Sequence, residues 1–366
     1  MNIQKVVILI FCFACTSVFA GNMSIEGTIK KTISLDSNKS NAHGILSNKD
    51  IKQISLLKIK LSSEYKDSLK SKMKVLKENN KFAESAKDIE NSFLSSKVDL
   101  GMNETPVLDQ GNHGSCATFA VTGALDAIAY QDDHISQLCL LQLGQYLSEN
   151  SNFESGWEGD FLNNVLSKIK YFGTIGKEHE KFGCGGLTSY PSTQINKGSM
   201  NLEDYRQKSE NIFEIKNIKA KNIINVLESD YKDLPPQKVL LEKLKKELDN
   251  SNRIILGLLL ANELKTDVSN GKFNYQLDSW VVSDELADKI LSDTMETILG
   301  GHAMVIIGYD DSAIAVDEKG KKHKGLFKLR NSWGSKAGDK GDYYVSYDYL
   351  AIFIIEAYSI TNDMNK

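Results

Sequence analysis

Hydrophobic positions divide the chain into stretches of different rhythm. Val6 to Phe13 is an unbroken apolar run near the N-terminus. Ser24 to Ile29 alternates briefly, compatible with a small hairpin or with no fixed structure. From Lys49 to Lys97 the apolar residues Ile51, Ile54, Leu57, Leu61, Tyr65, Leu69, Met73 and Leu76 recur every three or four positions, with lysines opposite. That rhythm predicts an amphipathic helix, and a second helical piece is expected from Phe82 to Leu94. Beyond Val98 the pattern changes to glycine-containing loops. Helices are predicted over Ala117–Tyr130, Phe161–Tyr171 and Val239–Leu248. Apolar runs at Arg253–Leu260, Ala303–Tyr309, Gly325–Leu329 and Tyr343–Tyr347 read as strands. Early helices followed by late strands point to an α+β fold.

The 366 residues suffice for a two-lobed domain with an added segment. A net charge of −4 leaves no basic footprint for nucleic acid. Lys5, the run Val6–Phe13 and Val18-Phe19-Ala20 have the form of a secretory signal, with an h-region too short to span a bilayer. Residues 1–20 are therefore expected to leave on export, taking Cys12 and Cys15 with them. The retained cysteines are Cys116, Cys139 and Cys184.

The densest chemistry lies in Gln110-Gly111-Asn112-His113-Gly114-Ser115-Cys116. A glycine turn delivers Cys116 to the first turn of a predicted helix, where amide N–H groups and the helix dipole favour a thiolate and should lower its pKa. The Gln110 side chain, six residues earlier, can join the Cys116 N–H as an oxyanion donor. A thiolate nucleophile needs a proton-carrying partner. His302, after Gly300-Gly301 at the mouth of a predicted strand, is the candidate. Asn331, in Leu329-Arg330-Asn331-Ser332-Trp333-Gly334, can accept from the imidazole N–H, and Trp333 can shield that bond from water. His113 is read as a loop residue; His43, His134, His179 and His323 are read as solvated. No spacing suggests a metal site, and no cofactor is expected.

Together, Gln110, Cys116, His302 and Asn331-Ser332-Trp333-Gly334 resemble the papain-like (clan CA, family C1) cysteine peptidases, over roughly Val98 to Tyr358. Val98-Asp99-Leu100 is similar to the opening of the mature family enzyme, and Tyr190-Pro191 to its Tyr-Pro landmark. The resemblance implies a two-lobed fold, with a helical left lobe, a β-rich right lobe and a cleft between them. It also implies hydrolysis of peptide bonds through a thioester acyl-enzyme. Gly156-Trp157-Glu158-Gly159 falls where the family has a glycine-rich substrate strand, so Gly159 and Trp333 are substrate-binding candidates. By position, residues 21–97 correspond to a helical inhibitory prosegment, and 98–366 to the catalytic domain. Cleavage is expected near Ser95 to Asp99.

The chain departs from the family at several points. His113 stands where the family has a disulfide cysteine, and Ala117 replaces an aromatic residue after the nucleophile. The stretches from Cys116 to His302 and Asn331 exceed the family's roughly 130–150 residues, implying insertions around Lys177–Gly198 and Lys265–Ile298. With Cys116 as the free thiol, Cys139 and Cys184 are either bridged or two separate buried thiols. The reading implies a monomeric, exported zymogen acting on peptides or proteins, with no membrane association after signal removal. A catalytically silent peptide-binding protein and an acyl transferase with the same triad are the alternatives.

Overall fold

The computed structural model describes residues 22–35, 51–79, 94–129, 133–193, 198–227, 229, 234–261, 271–273, 276–292, 295, 299–317 and 319–362. The expected signal (1–20) and the second prosegment helix (82–94) lie outside the described residues, except Leu94.

The chain begins with an antiparallel hairpin. Strands β1 (Met23–Ser34) and β2 (Ile51–Leu61) pair from Met23↔Leu61 to Ser34↔Ile51. A bulge between Ile25 and Thr28 places Glu26 and Gly27 opposite one residue, with Gly27 at φ 118°. The helix expected from Ile51 onward therefore starts only at Ser63, and Ser63–Asn79 is its helical part. Leu57, Ile59 and Leu61 alternate as a strand would, while Tyr65, Leu69 and Met73 follow at spacings of four. Joined end to end, a strand and a helix imitated one long helical stripe. Pairing with β1 decides the first half, and burial of Tyr65, Leu69 and Met73 decides the second.

Helices dominate the next part. Cys116–Ala129 is buried along every residue, so it is a central helix rather than an amphipathic one. Its small residues Ala117, Ala120, Gly123, Ala124 and Ala127 permit close approach of neighbouring elements. Gln137–Asn150 follows, with the Ser136 hydroxyl accepting from Cys139 N at its start. This helix was absent from the sequence-based prediction. Leu162–Phe172 completes the group. A disulfide joins Cys139 to Cys184, whose Cα atoms are 4.9 Å apart.

The remainder is mostly strand: β3 (Lys97–Asp99), β4 (Ile218–Asn225), β5 (Arg253–Ala261), β6 (Gly271–Phe273), β7 (Gln276–Trp280), β8 (Leu299–Val316), β9 (Lys322–Arg330), β10 (Asp342–Ser346) and β11 (Ile354–Asn362). Among the described residues eleven strands form one sheet, with the path β4-β11-β5-β8-β6-β7-β10-β9. Because β9 also pairs with β8, this end curls back on itself. Among the described strand pairs only β7 and β10 run parallel. β5 is buried at every residue, between β11 and β8. The fold is α+β as expected, with the Cys116–Ala129 helix packed against β8 and β5.

Candidate active site

The turn before Cys116 depends on Gly111. Its φ is 58°, and a Cβ there would lie 2.1 Å from the Ser192 carbonyl oxygen. Asn112 N donates to that same oxygen, and Gly114 N donates to Trp157 O, so the loop is tied on both sides. Cys116 begins the helix with its side chain fully buried.

His302 lies on β8, opposite Leu258 of β5. Its Nε2 is 2.8 Å from Asn331 Oδ1. An amide oxygen only accepts, so Nε2 carries the proton and Nδ1 is the bare nitrogen. Nδ1 makes no hydrogen bond. Trp333 stacks on the imidazole at 4.7 Å between ring centroids, and Tyr343 meets Trp333 edge-on. The indole thus covers the His302–Asn331 bond.

Gln110 reaches the same place from the other side. Gln110 N donates to Ser332 O, and Gly334 N donates to Leu108 O, stitching the loop before the nucleophile to the loop after Asn331. Ser332 Oγ donates to Gln110 Oε1 at 2.7 Å, which sets the orientation of the amide. Gln110 Nε2 donates one N–H to His113 O at 2.8 Å, leaving a second for an oxyanion. Sequence reasoning did not single out Ser332, although it sits inside the motif that identified Asn331. Tyr190, known there only as part of a Tyr-Pro pair, donates its hydroxyl to Gln110 O at 2.9 Å. His113 is a buried loop residue whose Nε2 donates to Pro191 O at 2.6 Å.

The expected low pKa of Cys116 is not what this state shows. Burial pushes the thiol up to about 12, outweighing the backbone N–H groups of Ala303 and Ala117 that favour the thiolate. Burial likewise pushes His302 down to about 4, with the Asn331 hydrogen bond acting the other way. At neutral pH both groups are therefore uncharged. The helix terminus is as expected, but desolvation is the larger effect.

The hairpin packs against glycines on both sides of the candidate residues. A Cβ on Gly159 (φ 136°) would lie 2.9 Å from Ile25 Cγ2 and 3.0 Å from Leu57 Cδ2. One on Gly114 would lie 2.8 Å from Thr28 Cγ2. On the opposite wall, Gly301 faces Ile59 and Leu57, and Gly300 faces Leu56. Leu57 pairs with Gly301, next to His302. Leu57 therefore touches both walls.

Residues 261–364 match the family model described as the Peptidase C1-like family. That stretch contains His302 and Asn331; Cys116 and Gln110 lie before it. Similar solved structures include xylellain, a cysteine protease from Xylella fastidiosa, at 17% identity and TM-score 0.47, covering 74% of this chain and 87% of that one. The ragweed pollen cysteine protease Amb a 11 in its proform has 17% identity and TM-score 0.44, over 74% of this chain and 68% of that one. Procathepsin L 3 of Tenebrio molitor larval midgut has 16% identity and TM-score 0.42, over 74% and 71%. No curated protein matches the chain.

Proposed function

We propose that the chain is a cysteine peptidase made in a latent form, with Cys116 as nucleophile and His302 as its proton carrier. The observation that carries this reading is the Nε2-protonated His302, held by Asn331 under Trp333 with its bare Nδ1 available, on the strand against which the Cys116 helix packs. Once the cleft is open to water and substrate, proton transfer from Cys116 to His302 produces the attacking thiolate. The sulfur attacks the peptide carbonyl. The Gln110 Nε2–H and the Cys116 N–H stabilise the oxyanion. His302 then protonates the leaving amine, and a thioester remains. Water, deprotonated by His302, hydrolyses the thioester and regenerates the thiol. Asn331 holds the imidazole orientation throughout.

In the latent form, residues 21–97 act as an inhibitory prosegment, contributing a hairpin in the cleft rather than a helix alone. Export through the signal at 1–20 belongs to the same reading. No helix among the described residues is long and apolar enough to cross a membrane. The processing boundary is best placed on the N-terminal side of Ser95. Lys97, Val98 and Asp99 pair with Asp310, Tyr309 and Gly308 of β8, and Ser95 O accepts from the Tyr309 hydroxyl. A cut within that strand would first require those bonds to open.

Peptide hydrolysis by the processed protein tests the reading, together with labelling of Cys116 by a thiol-directed epoxide. Turnover that disappears in Cys116→Ala is the expected result. A processed, folded protein that neither hydrolyses peptides nor takes the label would refute it. Labelling with transfer of the acyl group to an amine, and no hydrolysis, would make the chain an acyl transferase.

A further inference from the structure

The apolar residues of the hairpin fill the cleft, but apolar contact is non-directional and does not by itself hold a strand in register. Among the described residues the directional contacts include the Leu57–Gly301 backbone pairing, Asn22 Nδ2 donating to Val226 O at 2.6 Å, and side-chain ties to the loops around the candidate residues. Ser55 Oγ, buried, donates to Asn112 O at 2.6 Å, and Lys30 Nζ donates to the same oxygen and to Ser55 Oγ. Both contacts fall on one loop. Lys52 is different. Its Nζ donates to Asp109 Oδ2 at 2.5 Å and to Trp333 O at 2.9 Å. Asp109 immediately precedes the candidate oxyanion residue Gln110, and Trp333 covers the His302–Asn331 bond. One ammonium on β2 therefore bridges the loop leading to the nucleophile and the loop that follows the orienting asparagine. Its side chain is 18% exposed and that of Asp109 49%, so the ammonium is shielded while the carboxylate side of the pair is open to solvent and salt. Lys58 contrasts with it: among the described residues it pairs with Glu26, within the hairpin, at 3.2 Å, and is 55% exposed.

The geometry points to Lys52 as the latch that keeps the latent peptidase shut. This regulation rests on the peptidase reading of the cleft, but it concerns the seating of the hairpin and is measurable without any turnover. Losing the Lys52 charge frees the hairpin to leave the cleft while the rest of the chain stays folded. The apolar contacts remain, so opening becomes more frequent rather than complete. Asp109 is the charged partner of the latch and Trp333 O the neutral one.

The test uses the unprocessed chain and iodoacetamide, with labelling mapped to the Cys116 peptide over time. Among the described cysteines Cys116 is the free one. Lys52→Met keeps the length of the side chain and removes its charge; its Cys116 should label about tenfold faster than wild type, about 1.4 kcal/mol of easier opening. Lys52→Arg should label within about twofold of wild type, because it retains charge and donors. Lys58→Gln should label at the wild-type rate. Molar sodium chloride should speed labelling of the wild-type chain several-fold, which tests the latch even if the Met variant does not fold. Equal rates for Lys52→Met and wild type would overturn the latch. So would an equal acceleration in Lys58→Gln, or, should Lys52→Met not fold, wild-type labelling indifferent to salt. Peptide hydrolysis by the processed protein is scored separately, so a peptidase reading that fails there leaves this result interpretable.

Discussion

Two buried histidines show how partners, rather than burial, decide charge. His302 and His323 are both nearly inaccessible, at 2% and 5% exposure. His302 faces a neutral amide, and desolvation drives it to the uncharged form. His323 lies at the far end of the β8–β9 pair, with Nε2 3.3 Å from Asp317 Oδ2 and Nδ1 3.7 Å from Asp348 Oδ2. Burial alone would push His323 down as well. The Asp348 and Asp317 carboxylates outweigh burial and hold it above its ordinary value. The first arrangement leaves the buried His302 ring neutral; the second favours the charged form of the His323 ring in a structural tie.

The largest expected effect separates the two outright. His302→Ala should reduce peptide turnover by at least about a thousandfold. His323→Gln should do the reverse: kcat unchanged in the processed protein, and stability lower by about 1–3 kcal/mol, read by urea unfolding. A comparable loss of turnover in both variants would break the comparison.

Gln110→Ala should lower kcat by about a hundredfold with little change in KM, the cost of one oxyanion donor. The rate of Cys116 alkylation in the processed protein should hardly move, because alkylation forms no oxyanion. A fall in both would mean that Gln110 supports the fold of the loop instead.

The pH dependences should have opposite signs. The latent state binds fewer protons at His302 than any state in which the ring is solvated near its ordinary value of about 6.5. Closure at His302 is therefore fully supported above about 6.5, weakens as the pH falls, and has lost that support below about 4. His323 is raised, so its contribution is complete below about 6.5 and is lost as pH rises through its folded value. Limited proteolysis within residues 22–62 should accelerate from pH 7 toward pH 4. Unfolding by urea should become easier from neutral toward alkaline pH, and this alkaline dependence should shrink in Asp348→Asn, the smallest of these effects. Hairpin proteolysis indifferent to pH would remove the His302 half of the argument.

Where chemistry needs particular residues at particular places, the sequence was informative. A glycine turn before Cys116, glycines before His302 and the Asn331-Ser332-Trp333-Gly334 run each describe local geometry, and each lies where the expected element is found. The strands Arg253–Ala261 and Lys322–Arg330 and the helix Gln237–Asp249 were legible for the same local reasons. What sequence could not supply was tertiary. Nothing local says that Ile51–Leu61 pairs with a strand beginning 28 residues earlier at Met23, so a helical period was read through it. His323 was expected in solvent because Asp317 and Asp348 approach it only through folding. The helix Gln137–Asn150 carried one usable signal, the capping Ser136, which its glutamines and single charged residue, Glu149, obscured. Whether Cys139 meets Cys184 likewise depended on the packing of segments 45 residues apart.

The pairing of β3 with β8 has one more consequence. It anchors Lys97–Asp99 to the body of the protein, so under the proposed latency the hairpin is a tethered inhibitor that rebinds at an effective concentration set by its tether. Severing the chain upstream of that anchor converts rebinding into a bimolecular encounter. Dilution then drives a reversible opening toward a permanent one, with no change in any contact between plug and cleft.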